Sequence, residues 1–201
     1  MEDRDSPALW LELTDDGPLG PPQEHVGIWW ANANPGRSDL PLTLTDRAWL
    51  RLAAIDPQAD ATSTRSDRGE GWLFVRTPRP AQGRLTGRPT RGLLVVLISP
   101  RTPAEATALR DWADFIHISE IAAAGVPGFT LITPYERADA GDQPRFLHLY
   151  ELDTDDPEPA FQAMTRCVID RIGKPGTPAF DGWAWHPALE IDLVQTFALS
   201  Q

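Results

Sequence analysis

The residues best suited to chemistry lie in the stretch 109–129, LRDWADFIHISEIAAAGVPGF. Asp114 and His117 are three apart, so on an α-helix they are neighbours on one face. A carboxylate in that position can accept from one ring nitrogen, fix the tautomer and leave the other nitrogen as a base. An imidazole with an unperturbed pKa of about 6.5 suits proton transfer near neutral pH. Trp112 falls within the same two turns, and Glu120 extends the row if the helix runs that far. The competing reading of His117 is a side chain that caps or packs at the helix end, where positive charge suits the dipole.

A second group sits in FLHLYE, where Phe146, His148 and Tyr150 share one strand face and Leu147, Leu149 and Glu151 the other. With the leucine side under the helices, Phe146, His148 and Tyr150 would face the interior. A phenol and an imidazole there could hold a substrate carbonyl or enolate, or His148 could simply be a satisfied interior histidine. The run WAWHP puts Trp183, Trp185 and His186 before the last strand, as a lid with an indole stacked on a ligand or as a surface loop anchored by its indoles. With Tyr135 and Trp112, the residues Phe146, His148, Trp183, Trp185 and His186 make up the expected substrate-binding set. His25, beside Glu24, reads as solvent-facing, and Cys167 as helix core. No HExxH, paired metal-ligand spacing, phosphate loop or GxSxG elbow occurs, so the expectation is no metal and no cofactor. With three of four histidines in the second half, a histidine metal site or haem ligand is the minor alternative.

The elements that must position these residues are clearest in the second half. GLLVVLISP reads as a buried strand, PAEATALRDWADFIH as a helix and GFTLITPYER as a strand with alternating faces. RFLHLYEL is a further strand. AFQAMTRCVIDRIG is a helix with Phe161, Met164, Val168 and Ile172 on one face, and EIDLVQTFAL closes as a strand. The order βαββαβ is ferredoxin-like: an antiparallel sheet with helices on one face and a second face in need of a partner. In the first half, 8–14 reads as a strand, 23–36 as a short helix carrying Trp29 and Trp30, 47–55 as a strand, 57–71 as an exposed loop and GWLFVRT as a strand. This half repeats the start of the second in degenerate form, with IWWANAN in the place of DWADFIH and RAWLRLAA in that of GFTLITPY. The predicted organisation is therefore a degenerate ferredoxin-like half, 1–76, a linker, 77–91, and a full half, 92–201. The linker, with four Arg and no acid, is either a connector folded over an acidic body or an arginine clamp for an anion.

A chain of 201 residues can bury a substantial core. A net charge of −11 repels phosphate backbones and argues against nucleic acid as a partner. A single cysteine excludes an intrachain disulfide. The acidic N-terminus lacks the features of a secretory signal, and LLVVLI is too short to span a membrane, so the expected setting is cytoplasmic, without membrane association. Eight Trp exceed ordinary packing needs, so some could line a cavity for an apolar or aromatic ligand.

The frame LRDWADFIHISEIAAAGVPGF, then RFLHLYELD and a Pro-started helix, resembles the EthD-like families of the dimeric α/β barrel superfamily over 92–201. Here Ser119 stands after His117 and Ile118 where those families have Pro, Ile116 stands where an acid is usual, and Pro35 falls near the first-half position matching His117. The resemblance implies an α+β barrel of two ferredoxin-like units, as a fused tandem repeat or a homodimer, with the histidine in one pocket only. Activities in the superfamily include polyketide cyclisation, isomerisation, dehydration and cofactor-free oxygenation, and some relatives bind haem; fold alone does not choose. The expectation is a cofactor-independent enzyme of the lyase, cyclase or isomerase kind, of secondary metabolism. His117, with Asp114 and Tyr150, would move a proton on a hydrophobic aromatic or polyketide-like small molecule. The alternatives are a non-catalytic small-molecule binding protein and a cofactor-free monooxygenase.

Overall fold

Residues 8–18, 27–55, 69–139, 141 and 143–200 are described in the computed structural model. Among these residues are nine strands: β1 (Ala8–Thr14), β2 (Ile28–Asn32), β3 (Trp49–Ile55), β4 (Gly69–Arg76), β5 (Gln82–Gly83), β6 (Gly92–Pro100), β7 (Phe129–Arg137), β8 (Phe146–Leu152) and β9 (Leu189–Leu199), most of them built on large apolar and β-branched side chains. Eight of them form a closed antiparallel ring, β4-β1-β3-β2-β9-β6-β8-β7, and β4 returns to β7. The seams are short: Phe74, Val75 and Arg76 oppose Arg137, Glu136 and Tyr135, while Trp30, Ala31 and Asn32 oppose Leu199, Ala198 and Phe197. Strand β5 is a two-residue addition to β7 outside the ring. The fold is the α+β barrel expected, and the ring closes within one chain.

The two quartets β4-β1-β3-β2 and β9-β6-β8-β7 have the same strand order, fourth-first-third-second. IWWAN is the second strand of its quartet, in the place that GFTLITPYER holds in the other. This corrects the helix expected at 23–36: among its described residues, 28–32 are extended. Two adjacent indoles in so short a run carry no helical period, and β-propensity with pairing to β3 and β9 decides the conformation. His25 and most of the expected loop 57–71 lie outside the described residues, and β4 begins inside that loop, at Gly69.

The barrel interior is filled by Leu11, Leu13, Trp30, Leu50, Leu52, Trp72, Phe74, Leu93, Val95, Leu97, Leu147, Leu149, Leu193 and Phe197, all buried. This reverses the expected facing of β8. Its leucines point into the barrel, and His148 and Tyr150 point outward under the helices. Both faces of β8 are buried, so the alternation does not reveal which is which.

Among the described residues the helices cover the outer face of the second quartet. After a 3₁₀ turn, Pro103–Glu105, one helical segment runs through α1 (Ala106–Trp112), a π-turn (Ala113–His117) and α2 (Ile118–Ala124). It stops at Gly125, whose φ of 64° is the left-handed conformation glycine reaches without steric cost. Helix α3 (Pro157–Ile172) packs beside it, and α4 (Pro178–Ala184) opens with Thr177 accepting from Phe180 N at 3.4 Å. From the first quartet a strap, 33–44, crosses to this side. Thr43 N and Leu44 N donate to the carbonyls of Ile191 and Asp192, Asn34 donates to Glu158 at 3.1 Å, and buried Arg37 pairs with Glu158 and lies over the Phe161 ring. Segment 77–91 folds back onto the helical segment. It carries β5, and its Arg79 pairs with Asp111 and Asp114 on the helical segment. No helix among the described residues is long and apolar enough to cross a membrane.

Candidate functional site

Between the outer face of β6, β8 and β9 and the helical layer lies a cavity of about 310 Å³. Strand alternation supplies its floor, Leu94, Val96, Ile98, His148, Tyr150, Ile191 and Val194. Helix α3 supplies Phe161, Met164 and Thr165, α4 supplies Phe180 and Trp183, and the strap supplies Leu40. Trp112, Ala113 and His117 complete the wall, with Trp185, 52% exposed, at the rim. The volume is at the small end of ligand pockets, roughly 300–1,000 Å³. Among the described residues no Arg, Lys, Asp or Glu lines it, so the cavity suits an uncharged apolar ligand.

Its polar groups are two imidazoles, a phenol and the Thr165 hydroxyl. His148 is 3% exposed, and its Nε2 lies 3.2 Å from Oδ1 of Asp114, itself 2% exposed. An ionised carboxylate only accepts, so Nε2 carries the proton and Nδ1 is the lone-pair nitrogen of a ring that lines the cavity. Tyr150, two residues along the same face and 1% exposed, stands edge-on to Phe129. Burial pushes its phenol well above the usual range, so it stays a neutral hydrogen-bond donor. Its hydroxyl has no hydrogen-bond partner among the described residues.

His117 is anchored differently. Its Nδ1 donates to the carbonyl of Trp183 at 2.9 Å, and the Trp183 indole N–H donates back to the carbonyl of His117 at 3.1 Å. The two rings are stacked at 5.2 Å, with Trp112 at 5.0 Å on the imidazole and its indole N–H donating to Gly182 O at 2.7 Å. These bonds clamp α4 to the π-turn. Burial lowers the His117 pKa to about 4, opposed by the bond to Trp183 and assisted by His148, so the ring is neutral near pH 7 and offers Nε2 as an acceptor.

Asp114 therefore orients His148, not His117, contrary to the spacing argument. The three-residue neighbour rule holds for an α-helix. Inside a π-turn the widened helix turns Asp114 down to the sheet and leaves His117 to meet α4. Of the other expected residues, Trp112, Trp183 and Trp185 line the cavity with His117, His148 and Tyr150. Tyr135 does not. It packs against the barrel interior, where burial raises its pKa. Phe146 belongs to a neighbouring core cluster with Ile98, Leu109 and Trp112. His186 stands against Trp112 at 5.6 Å, and its Nδ1 accepts from Ala188 N at 3.2 Å, which closes the turn into β9. Glu120 faces away, paired with Arg171.

Leu40, Phe161, Met164 and Phe180 were missed as wall residues. The apolar face of α3 carrying Phe161 and Met164 was legible as a packing face, and part of that face is the cavity wall; Leu40 has no sequence signal. A haem with two propionates would call for cations at the cavity, and the lining has none, so these residues do not fit that group. Among the described residues no three His, Cys, Asp or Glu are grouped to hold a metal ion.

No protein-family model matches the chain, and no curated protein matches it. Solved structures do. An anthrone oxidase-like protein aligns with a TM-score of 0.53 at 12% identity, over 100% of this chain and 93% of that one. A mutant chlorite dismutase from Candidatus Nitrospira defluvii aligns with a TM-score of 0.54 at 13% identity, over 99% of this chain and 96% of that one. At such identities the likeness is one of fold, and that fold is the dimeric α/β barrel.

Proposed function

We propose that the protein is a cofactor-independent enzyme that removes a proton from an uncharged, hydrophobic, ring-containing small molecule. The observation that carries this reading is the buried Asp114–His148 pair beside Tyr150 on the floor of an apolar cavity. His148 Nδ1 takes a proton from a carbon or phenol acid, and the imidazolium is stabilised by Asp114. Tyr150 donates to the oxygen on which the enolate or phenolate charge develops. His117 accepts a hydrogen bond from the substrate, and Trp112 and Trp183 wall the ring.

The carbanion so formed has two fates. Reprotonation or loss of a leaving group gives isomerisation, cyclisation or dehydration. Reaction of an electron-rich carbanion with dioxygen gives cofactor-free oxygenation. The likeness of fold to an anthrone oxidase-like protein makes anthrone, a tricyclic carbon acid, the first probe. The test is turnover of anthrone, followed by its absorbance and by oxygen uptake, in the wild type and in His148→Gln, Asp114→Asn, Tyr150→Phe and His117→Gln. The expected result is a loss of roughly 100- to 10,000-fold in kcat for His148→Gln. Full turnover by that variant rejects the reading. Quenching of tryptophan fluorescence by anthrone recovered unchanged supports a binding protein without turnover.

A further inference from the structure

We infer that Arg79, a residue of segment 77–91, is a positioning residue that holds the Asp114–His148 pair in one tautomer from the far side of the helix. The inference rests on the proton-transfer reading above. Asp114 Oδ1 is used on His148, and its other oxygen, Oδ2, is buried and lacks any aligned hydrogen-bond donor. The cation that faces Oδ2 is Arg79, whose Nη1 lies 3.3 Å away and is likewise buried without an aligned acceptor. The Arg79 guanidinium is fixed by two further contacts on the same helix face: Nη2 donates to Asp111, and Cζ stands 4.4 Å above the centre of the Phe115 ring. Asp111, Asp114 and Phe115 are thus gripped together by one residue of the preceding segment. Gln82, three residues on, donates its amide to the backbone carbonyl of Asp114 within the π-turn, where carbonyls are least well served by the helix itself.

This arrangement has a chemical consequence. A carboxylate held at one oxygen only can swing about its Cβ–Cγ bond, whereas one held at both oxygens keeps a fixed orientation. With Oδ1 swung away, Nε2 would lose its acceptor, and His148 could place its N–H toward the cavity and lose its base there. Arg79 faces Oδ2 and so keeps Oδ1 aimed at His148, where Nε2 donates and Nδ1 keeps the lone pair. A second cavity of about 280 Å³, lined by Arg79, Pro80, Gln82, Asp114, Phe115 and Ser119, lies on this side. Arg79 does not line the ligand cavity, so its effect must pass through Asp114.

The test uses the full chain labelled with ¹⁵N. Long-range proton–nitrogen spectra of the His148 ring at pH 7 report its tautomer, alongside kcat and KM with anthrone, for the wild type, Arg79→Met and Arg79→Lys. In the wild type His148 is expected as the single Nε2–H form. Arg79→Met mixes the tautomers and lowers kcat about tenfold, part of what a general base contributes, with KM unchanged. Arg79→Lys restores part of both. If Arg79→Met is unfolded, Arg79→Lys carries the test, because a point charge that cannot span Asp111 and Asp114 together must still move the His148 signals. A pure Nε2–H ring in both variants with wild-type kcat overturns the inference. Turnover that survives His148→Gln rejects the proton-transfer reading instead, and the tautomer spectra then still report whether Arg79 holds the pair.

Discussion

The two strand quartets share an order and differ in what they do with their outer faces. On the third strand of the first quartet, β3, the outward residue Arg51 meets Glu12 of β1, with Nε 3.0 Å from the carboxylate, and Trp10 donates to the same oxygen. On the third strand of the second quartet, β8, the outward residues are His148 and Tyr150 beneath a helical layer that leaves room for a guest. One face satisfies its charge within the sheet. The other directs its polar groups at a space and relies on a second layer, through Asp114, to orient them. A common strand order therefore fixes where a site can be, and the helices with their π-turn decide whether there is one.

That contrast can be attacked from both sides. The largest effect is expected at the clamp of the second quartet. Trp183→Ala removes a buried indole, its donor and the stack on His117, at about 4 kcal/mol of stability by the usual cost of emptying such a site. It should also abolish quenching by anthrone. Urea unfolding and fluorescence titration check both, and a variant that keeps wild-type affinity would mean that α4 is not part of the wall. Next, Glu12→Ala in the first quartet removes the buried carboxylate to which Arg51 and Trp10 donate and should cost about 3 kcal/mol. Its affinity for the ligand and its kcat should not change, and a loss of turnover beyond that of unfolded protein would join the two faces that the comparison separates.

A third test uses pH. The folded pKa of His117 is depressed from 6.5 to about 4, so between those values the unfolded chain binds more protons than the folded one. Stability from this group is thus complete above about pH 6.5 and is lost as pH falls toward 4, by on the order of 3 kcal/mol. The difference in urea midpoint between wild type and His117→Asn should shrink over that window. A constant difference would place the His117 ring in water. The smallest effect is expected where charge is merely superficial: Arg88→Ala, which removes the exposed partner of Asp153, should change stability by less than about 0.5 kcal/mol.

Much of this was legible in the residues. The span of β1 and the βαββαβ order of the second half follow from periodicity and turn residues. Three things were not, each for a physical reason. The facing of β8 could not be read because leucine and aromatic faces alike end up buried, one inside the ring and one under helices. The partner of Asp114 was misjudged because a π-turn leaves no mark in the spacing of apolar residues, yet it redirects every side chain within it. Arg79 and Gln82 looked like linker composition, since contacts across 32 residues to Asp111 and Asp114 have no local signature.

The closure of the ring by β4 on β7 and β2 on β9 bears on how the protein behaves at cellular scarcity. Every wall of the cavity, including Leu40 from the first quartet, comes from one polypeptide, so assembling it is a unimolecular event. Dilution alone cannot take the ring apart, and the cavity it carries should keep its shape however dilute the protein is.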